Sequence, residues 1–384
     1  MNQPVSQRAS GLPAAEHLAP DFRVEVEGRE LEPLITGDIR EVRVVSELNN
    51  ISHFELLLDN WSESGFQLKN GDSETFAVGN RVRLSMGYKG HNVSLITGRI
   101  SSLTAYFPED GDPMLRISGL DDLWQLRDRK PQVGDLKQFA EMADHEVVRI
   151  VASRNGINRT DIHPEGVTHP VSIQKNQEDA SFLLERAYRR DSDLYVRNDP
   201  QSGESTLCFK PPTDSRDATA IRSFVFKWGK DLVEFKSRLT VAKQVGKLTV
   251  RGWNPQKKEV ISYTATTSDL PAGTGNSGPS FVEDIFGNKE DIKVDYPVVS
   301  EEEAKDLAVA LLRRRAYEFI SSTGRVIGFP ELRAGDNVEI DGVGERFGGL
   351  YYLQKVEHNI GDNGFATLFE GRRVYDGGGK ADAS

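Results

Sequence analysis

Seven histidines, one cysteine and scattered paired carboxylates are the side chains here with chemistry to offer. His17, His53, His91, His145, His163, His169 and His358 never fall four apart, so no helix turn presents two of them to one metal ion. Cys208 stands alone between Leu207 and Phe209, which reads as a small apolar side chain on a strand and leaves no disulfide framework or all-cysteine metal site. Asp121-Asp122, Glu178-Asp179 and Glu301 to Glu303 sit where helices would start, and the helix dipole accounts for acidic residues there. A glycosidase needs two carboxylates converging in one cleft, which spacing along the chain does not supply. Gly273-Thr274-Gly275-Asn276-Ser277-Gly278 fits G-x-G-x-x-G. A dinucleotide site, however, needs a strand before it and a helix N-terminus after it, and here Leu270-Pro271 precedes and Pro279 follows. Lys257-Lys258 and Arg189-Arg190 are isolated basic pairs without an aromatic stacking platform, which reads as solvated faces. The sequence therefore predicts no catalytic residue, no metal ligand, no cofactor site and no enzyme. Trp253, in Arg251-Gly252-Trp253-Asn254-Pro255, reads as a rigid bend with a large apolar anchor held in a core, and Trp61, Trp124 and Trp228 also lie in patterns suited to packing.

The frame around these residues is that of an ordinary globular chain. At roughly 100–200 residues per domain, 384 residues make two to four units. Lys and Arg number 48 against 59 Asp and Glu, and the net charge of −11 repels phosphate backbones, so a nucleic-acid partner is not expected. No apolar run approaches the ~20 residues of a membrane span, so membrane insertion is not expected either. The N-terminus lacks the basic and apolar regions of a secretory signal, and a single cysteine suits synthesis in a reducing bacterial cytoplasm.

Strand signals dominate. Residues 1–20 read as a flexible arm. Phe22, Val24 and Val26 then alternate with Arg23, Glu25 and Glu27, and Glu27-Gly28-Arg29 makes a hairpin turn. Val42 and Val44, Phe54 to Leu58, Val82 to Tyr88, Val93 to Ala105 and Met114 to Ser118 continue the pattern, so residues 21–124 form a first antiparallel β-barrel domain. Residues 125–222 form an inserted α+β domain. Leu136, Phe139, Ala140 and Ala143 follow a helical period with Asp135 as N-cap, and Val147, Val148 and Val151 lead to a stop at Asn155-Gly156. Ala180, Leu183, Leu184 and Ala187 make a third helix, followed by strands at 194–196 and 207–209. A second β-barrel domain over 223–375 holds strands near Phe224, Leu248, Val338, Tyr351 and Phe365. It also holds a flexible loop at 268–280 and a helix at 300–318 opened by the capping box Ser300 to Glu303. Residues 376–384 read as a disordered tail.

Two stretches look alike. Gly79-Asn80-Arg81-Val82-Arg83-Leu84 leads to Gly98 and a long strand, while Gly335-Asp336-Asn337-Val338-Glu339-Ile340 leads to Gly349, Leu350 and Tyr351. The pattern suggests two copies of one β unit.

Several separated segments together resemble the late control protein D family, the baseplate hub proteins of contractile phage tails, which is similar to the N-terminal hub part of VgrG-type spikes. They are Gly246 to Pro255, with Gly252 and Trp253 in a G-W-[D/N]-P signature, and the helix and hairpin of Asn176 to Phe209. The Ala304-rich helix, Gly328 to Gly335, Arg346 to Tyr351 and Val356-Glu357-His358 complete the set. Asn254 stands where an Asp is usual. The resemblance covers residues 20–375 and implies a mainly β fold with two tube-protein-like barrels per chain, assembled as a homotrimer with a pseudo-sixfold ring. The implied role is a structural adaptor between a hexameric inner tube and a trimeric spike, in the baseplate of a phage virion or contractile injection particle. Its partners would be the tube protein, a spike that is a separate chain and other baseplate proteins. A tail-associated peptidoglycan hydrolase and a glycan- or receptor-binding β module are the alternatives.

Overall fold

The computed structural model describes residues 8–9, 19–62, 67–213, 223–287 and 289–377. Besides the two-residue strands Arg29–Glu30, Trp61–Ser62 and Gln67–Leu68, six longer strands are built from residues 20–121: β1 Pro20–Val26, β2 Ile39–Glu47, β3 His53–Asp59, β4 Arg81–Tyr88, β5 His91–Tyr106 and β6 Met114–Asp121. Their alternation is what buries them. Phe54, Leu56 and Leu58 of β3 point inward, as do Val82, Leu84 and Met86 of β4, while the intervening residues of β3 stay half-exposed. Turn chemistry sets the register: Glu27 and Gly28 both take positive φ, as a two-residue type I′ hairpin turn needs, and return the chain from β1 to pair Val26 with Arg29.

An α+β segment follows, with β7 Gln138–Ala143, α1 Asp144–Arg154, β8 Thr160–Ile162, β9 Thr168–Ile173, α2 Asp179–Arg189, β10 Asp193–Asn198 and β11 Ser205–Lys210. One expectation fails here: the helix at 136–143 is the strand β7, paired antiparallel with β9. Phe139 and Ala143 are its buried positions, and four-residue spacing is shared by a helix face and by alternate inward residues of a strand.

The remaining strands are β12 Ser223–Lys227, β13 Leu232–Leu239, β14 Lys247–Asn254, β15 Glu259–Ala265, β16 Glu290–Lys293, β17 Ile320–Ile327, β18 Asn337–Asp341, β19 Gly349–Gly361 and β20 Gly364–Arg373. Among them lie the helices α3 Gly278–Phe286 and α4 Glu301–Tyr317. Arg8–Ala9, within the expected arm, pairs in parallel with Ser223–Phe224; the rest of 1–18 and the tail from 378 lie outside the described residues. The segment expected as a flexible loop ends in α3, whose N-cap Ser277 accepts from the Ser280 N–H, with Pro279 in the first turn, where its missing N–H costs nothing.

In the first half the hydrogen-bonded order is β1-β4-β5-β6-β3-β2, and in the second it is β12-β18-β19-β20-β17-β13. Numbering only these six strands along the chain in each half, and leaving out β14, β15 and β16, both orders are 1-4-5-6-3-2. Every neighbouring pair is antiparallel in both halves except the first: β1 runs antiparallel to β4, β12 parallel to β18. Two of the irregularities repeat as well, whereas Leu95, an extra residue of β5 against β4, has no counterpart between β19 and β18. β5 and β19 each carry an extra residue against the next strand, Ser101 and Gln354, and β2 and β13 each carry one, Arg40 and Val233.

The chain is mainly β, 46% strand and 18% helix, and among the described residues no sheet closes into a barrel, so the two expected barrels are open there. Instead β2 pairs antiparallel with β19, from Glu47 opposite Lys355 to Val42 opposite Ile360, fusing both halves into one sheet. The first half still curls upon itself, because Val24 of β1 and Val42 of β2, at opposite ends of its strand order, share one core. A second core lies between β12, β17, β18, β19 and β20. Between β13 and β17 the second half carries a separate sheet, β15-β14-β16, packed on α4.

Candidate functional site

The reactive side chains are placed as structure, not as a constellation. Cys208 is buried on β11 beside Tyr195 and Leu48, and burial pushes its thiol pKa up, away from the nucleophilic thiolate. His358 is buried on β19, with Nε2 2.9 Å from the Leu332 carbonyl and Nδ1 3.0 Å from the Thr367 hydroxyl. Thr367 accepts from the Phe329 N–H, so its own proton points at Nδ1, and the imidazole is the neutral Nε2–H tautomer. Among the described residues no group of His, Cys, Asp and Glu could hold a metal ion. No described helix is long and apolar enough to cross a membrane.

The densest ionic cluster fastens one element to another. His169 of β9 lies between Glu303 of α4, 2.6 Å from Nδ1, and Asp144 of α1, 3.3 Å from Nε2; Arg186 of α2 donates to Asp144 at 2.5 Å. Burial opposes the imidazolium, but the two carboxylates outweigh it and raise the His169 pKa. Ser300 caps α4 by accepting from the Glu303 N–H, but Glu303 turns its carboxylate to the Val299 N–H and to His169 instead of closing the expected reciprocal box.

The motif residues singled out in the sequence fall into two groups. Gly79 and Gly335 hold equivalent turns before β4 and β18, at φ of +96° and +85°, where a side chain would be strained. Val82 and Val338 are both buried at the matching position of the next strand. Gly98 and Gly349 are not equivalent: Gly98 lies opposite Val82, whereas Tyr351 lies opposite Val338 and Gly349 two residues earlier, opposite Ile340. Tyr351 is buried and its hydroxyl donates to the Phe347 carbonyl at 2.7 Å. Gly252 and Trp253 lie on β14, outside the repeated strands, and Trp253 is 53% exposed beside Val294 and Val299. That overturns the expected core position: Trp253 faces solvent from a three-stranded sheet whose other side packs on α4. Trp228, just past β12, is also exposed.

What the fold does build is edges. At the β2–β19 joint, Val42, Val44, Val356 and His358 are buried on one side. On the other, Arg43 grips Glu357 through two 2.8 Å hydrogen bonds, and Asn359 donates to Glu41. Sequence reasoning missed this joint, because strand pairing across a separation of more than 300 residues leaves no local period. The β10–β11 hairpin is wedged against the joint: Arg197 pairs with Asp336 at 2.9 Å, Asn49 donates to Asp193, and Tyr352 donates to Asp193 at 2.9 Å.

A family model described as the Alg8 N-terminal domain matches residues 16–362. No curated protein matches the sequence. Among solved structures, the chain is similar to the 43 kDa tail protein of prophage MuSo2 from Shewanella oneidensis, at 14% identity and a TM-score of 0.67, covering 92% of this chain and 98% of that one. The tail protein from Neisseria meningitidis MC58 is similar at 14% identity and a TM-score of 0.64, covering 94% and 98%. The E. coli c3393 protein, described as a type VI secretion component structurally similar to T4 tail proteins gp27 and gp5, is 8% identical with a TM-score of 0.59, covering 94% and 79%. The tail-protein resemblance read from the sequence thus extends to the whole fold, and the chain belongs to the Alg8 N-terminal domain family.

Proposed function

We propose that this chain is a non-enzymatic structural hub: a homotrimer that adapts a hexameric inner tube to a trimeric spike in the baseplate of a contractile phage tail or injection particle. The observation that supports this reading is the internal repeat, six strands in one order twice over with matching extra residues. Three chains bring six quasi-equivalent units to a ring, while the reversed first strand and the unequal insertions keep the true symmetry threefold. One face of such a ring suits a sixfold tube, and the other suits a threefold spike. Other baseplate proteins would pack outside it, with no nucleic acid held and no membrane entered. Light scattering on the purified chain, alone and with tube and spike proteins, tests the reading. A trimer is expected; a chain that stays monomeric even with its spike would overturn it.

A glycan- or receptor-binding module is a second reading, and the exposed Trp253 favours it. Quenching of tryptophan emission by a panel of cell-surface glycans, lost in Trp253→Ala, would support that alternative; no quenching would dismiss it.

A further inference from the structure

The joint inside the chain is a template for a contact that one chain leaves unmade. β2 is the second strand of the first repeat and β19 the fifth strand of the second. Their counterparts are β13, second in the second repeat, and β5, fifth in the first. Among the described residues β13 has no strand on its outer edge, and Ser102 to Tyr106 of β5 pair only with β6. Both are long edges with unpaired backbone groups, and Tyr106 and Phe107 beside them are 62% and 61% exposed.

The shared extra residues fix the correspondence. Setting Ser101 on Gln354 places Ser102–Phe107 on Lys355–Ile360, and setting Arg40 on Val233 places Phe235–Thr240 on Val42–Glu47. We propose that β13 of one copy pairs antiparallel with the distal half of β5 of a second copy, from Ser102 opposite Thr240 to Phe107 opposite Phe235, as β2 pairs with β19 inside the chain. The side chains support this register independently. On the face that continues the cores, Leu103 meets Leu239, Ala105 meets Ser237 and Phe107 meets Phe235. On the other face Tyr106 meets Lys236, within reach of a cation–π contact. A slip of one residue sets Leu103 against Arg238 and Phe107 against Glu234, or Phe107 against Lys236, and turns every apolar pair into a mismatch. The contact is head-to-tail, so each chain offers one β5 edge and one β13 edge, and repetition closes a ring or extends a filament. The inference rests on the ring reading only for the number of copies, three.

Disulfide trapping tests it. Cys208 is buried, so introduced thiols on exposed edges react without competition. In Ala105→Cys/Ser237→Cys, facing Cβ atoms lie within disulfide reach, and mild oxidation is expected to give a covalent ladder ending at trimer on a non-reducing gel. Each single variant stays monomeric there, and the two singles mixed give dimer only. Ala105→Cys/Arg238→Cys, one residue out of register and on opposite faces, is expected to cross-link at least tenfold less. Phe107→Asp, at an exposed position, is expected to raise the trimer dissociation constant at least tenfold while circular dichroism stays unchanged. Light scattering on the unmodified chain separates the failures. A trimer that cross-links at neither pair, or equally at both, overturns the strand pairing and leaves the ring reading standing. A chain that stays monomeric at every concentration, with its spike as well as alone, overturns both.

Discussion

Single residues report how the core is kept dry. His358 must stay neutral to hold its chain of bonds from the Phe329 N–H through Thr367 to the Leu332 carbonyl. Burial, aided by the Arg333 charge, lowers its pKa from the ordinary 6.5 to about 3. A depressed histidine leaves stability intact above pH 6.5 and removes it as pH falls from there toward 3, with a ceiling of about 5 kcal/mol from this one group. Asp121 and Asp191, pushed up to about 7 by burial, act with the opposite sign: their contribution is present below the ordinary carboxylate range and is lost as pH rises through 7. Comparison with His358→Gln isolates the histidine. Urea midpoints measured at pH 7 and pH 4 are expected to fall more in the parent chain than in the variant, and equal falls would assign the acid sensitivity elsewhere. Trp253→Ala belongs at this scale too. Half-exposed on β14, its removal should cost below about 1 kcal/mol in urea unfolding, whereas a loss of 3 or more would mean that the ring is packed in a core after all.

Elements are held by the cluster around His169. It joins β9 and α1 to α4, so the α+β segment is docked to the helix of the second half through one imidazolium between two carboxylates, with Arg186 and Arg189 nearby. A histidine with a raised pKa contributes stability that is fully present below pH 6.5 and is lost as pH rises through the higher folded value. His169→Gln is therefore expected to cost about 2 kcal/mol at pH 6 and clearly less at pH 8.5, read from urea unfolding. An equal loss at both pH values would mean that the imidazole acts by packing, not by charge. The same scale shows what the sequence could carry. Strands such as β3 and β4 were readable because alternate residues meet a core on one side. The helix α4 was readable because its cap and its apolar face agree. β7 was not, since a six-residue strand with two buried positions has no period of its own. The sheet of β14 and β15 was not separable from the repeated strands either, because alternation reveals a strand but not its partner. Ser101 and Gln354, the residues that align the repeats, carry no composition signal and became visible only through pairing.

At the level of the molecule, the β2–β19 joint decides whether the halves are two bodies or one. Six residue pairs span it, valines of both strands are buried across it, Arg43 holds Glu357 over it, and the β10–β11 hairpin braces it through Asp193 and Asp336. Ile360 and Phe365, from the second half, are part of the first half's core. Loss of either half therefore exposes apolar surface of the other, and local opening of one repeat should be nearly as costly as global unfolding. Two single-tryptophan chains, one keeping Trp61 beside the first half and one keeping Trp228 beside the second, are expected to give coincident urea midpoints. In both, Arg43→Ala should lower the midpoint together, by the equivalent of about 1 kcal/mol. Separate midpoints, or a shift seen by Trp61 alone, would show that the halves open independently. A hub whose two repeats moved freely could not hold six units at fixed angles around a tube, so cooperative unfolding is what the proposed adaptor role requires of the isolated chain.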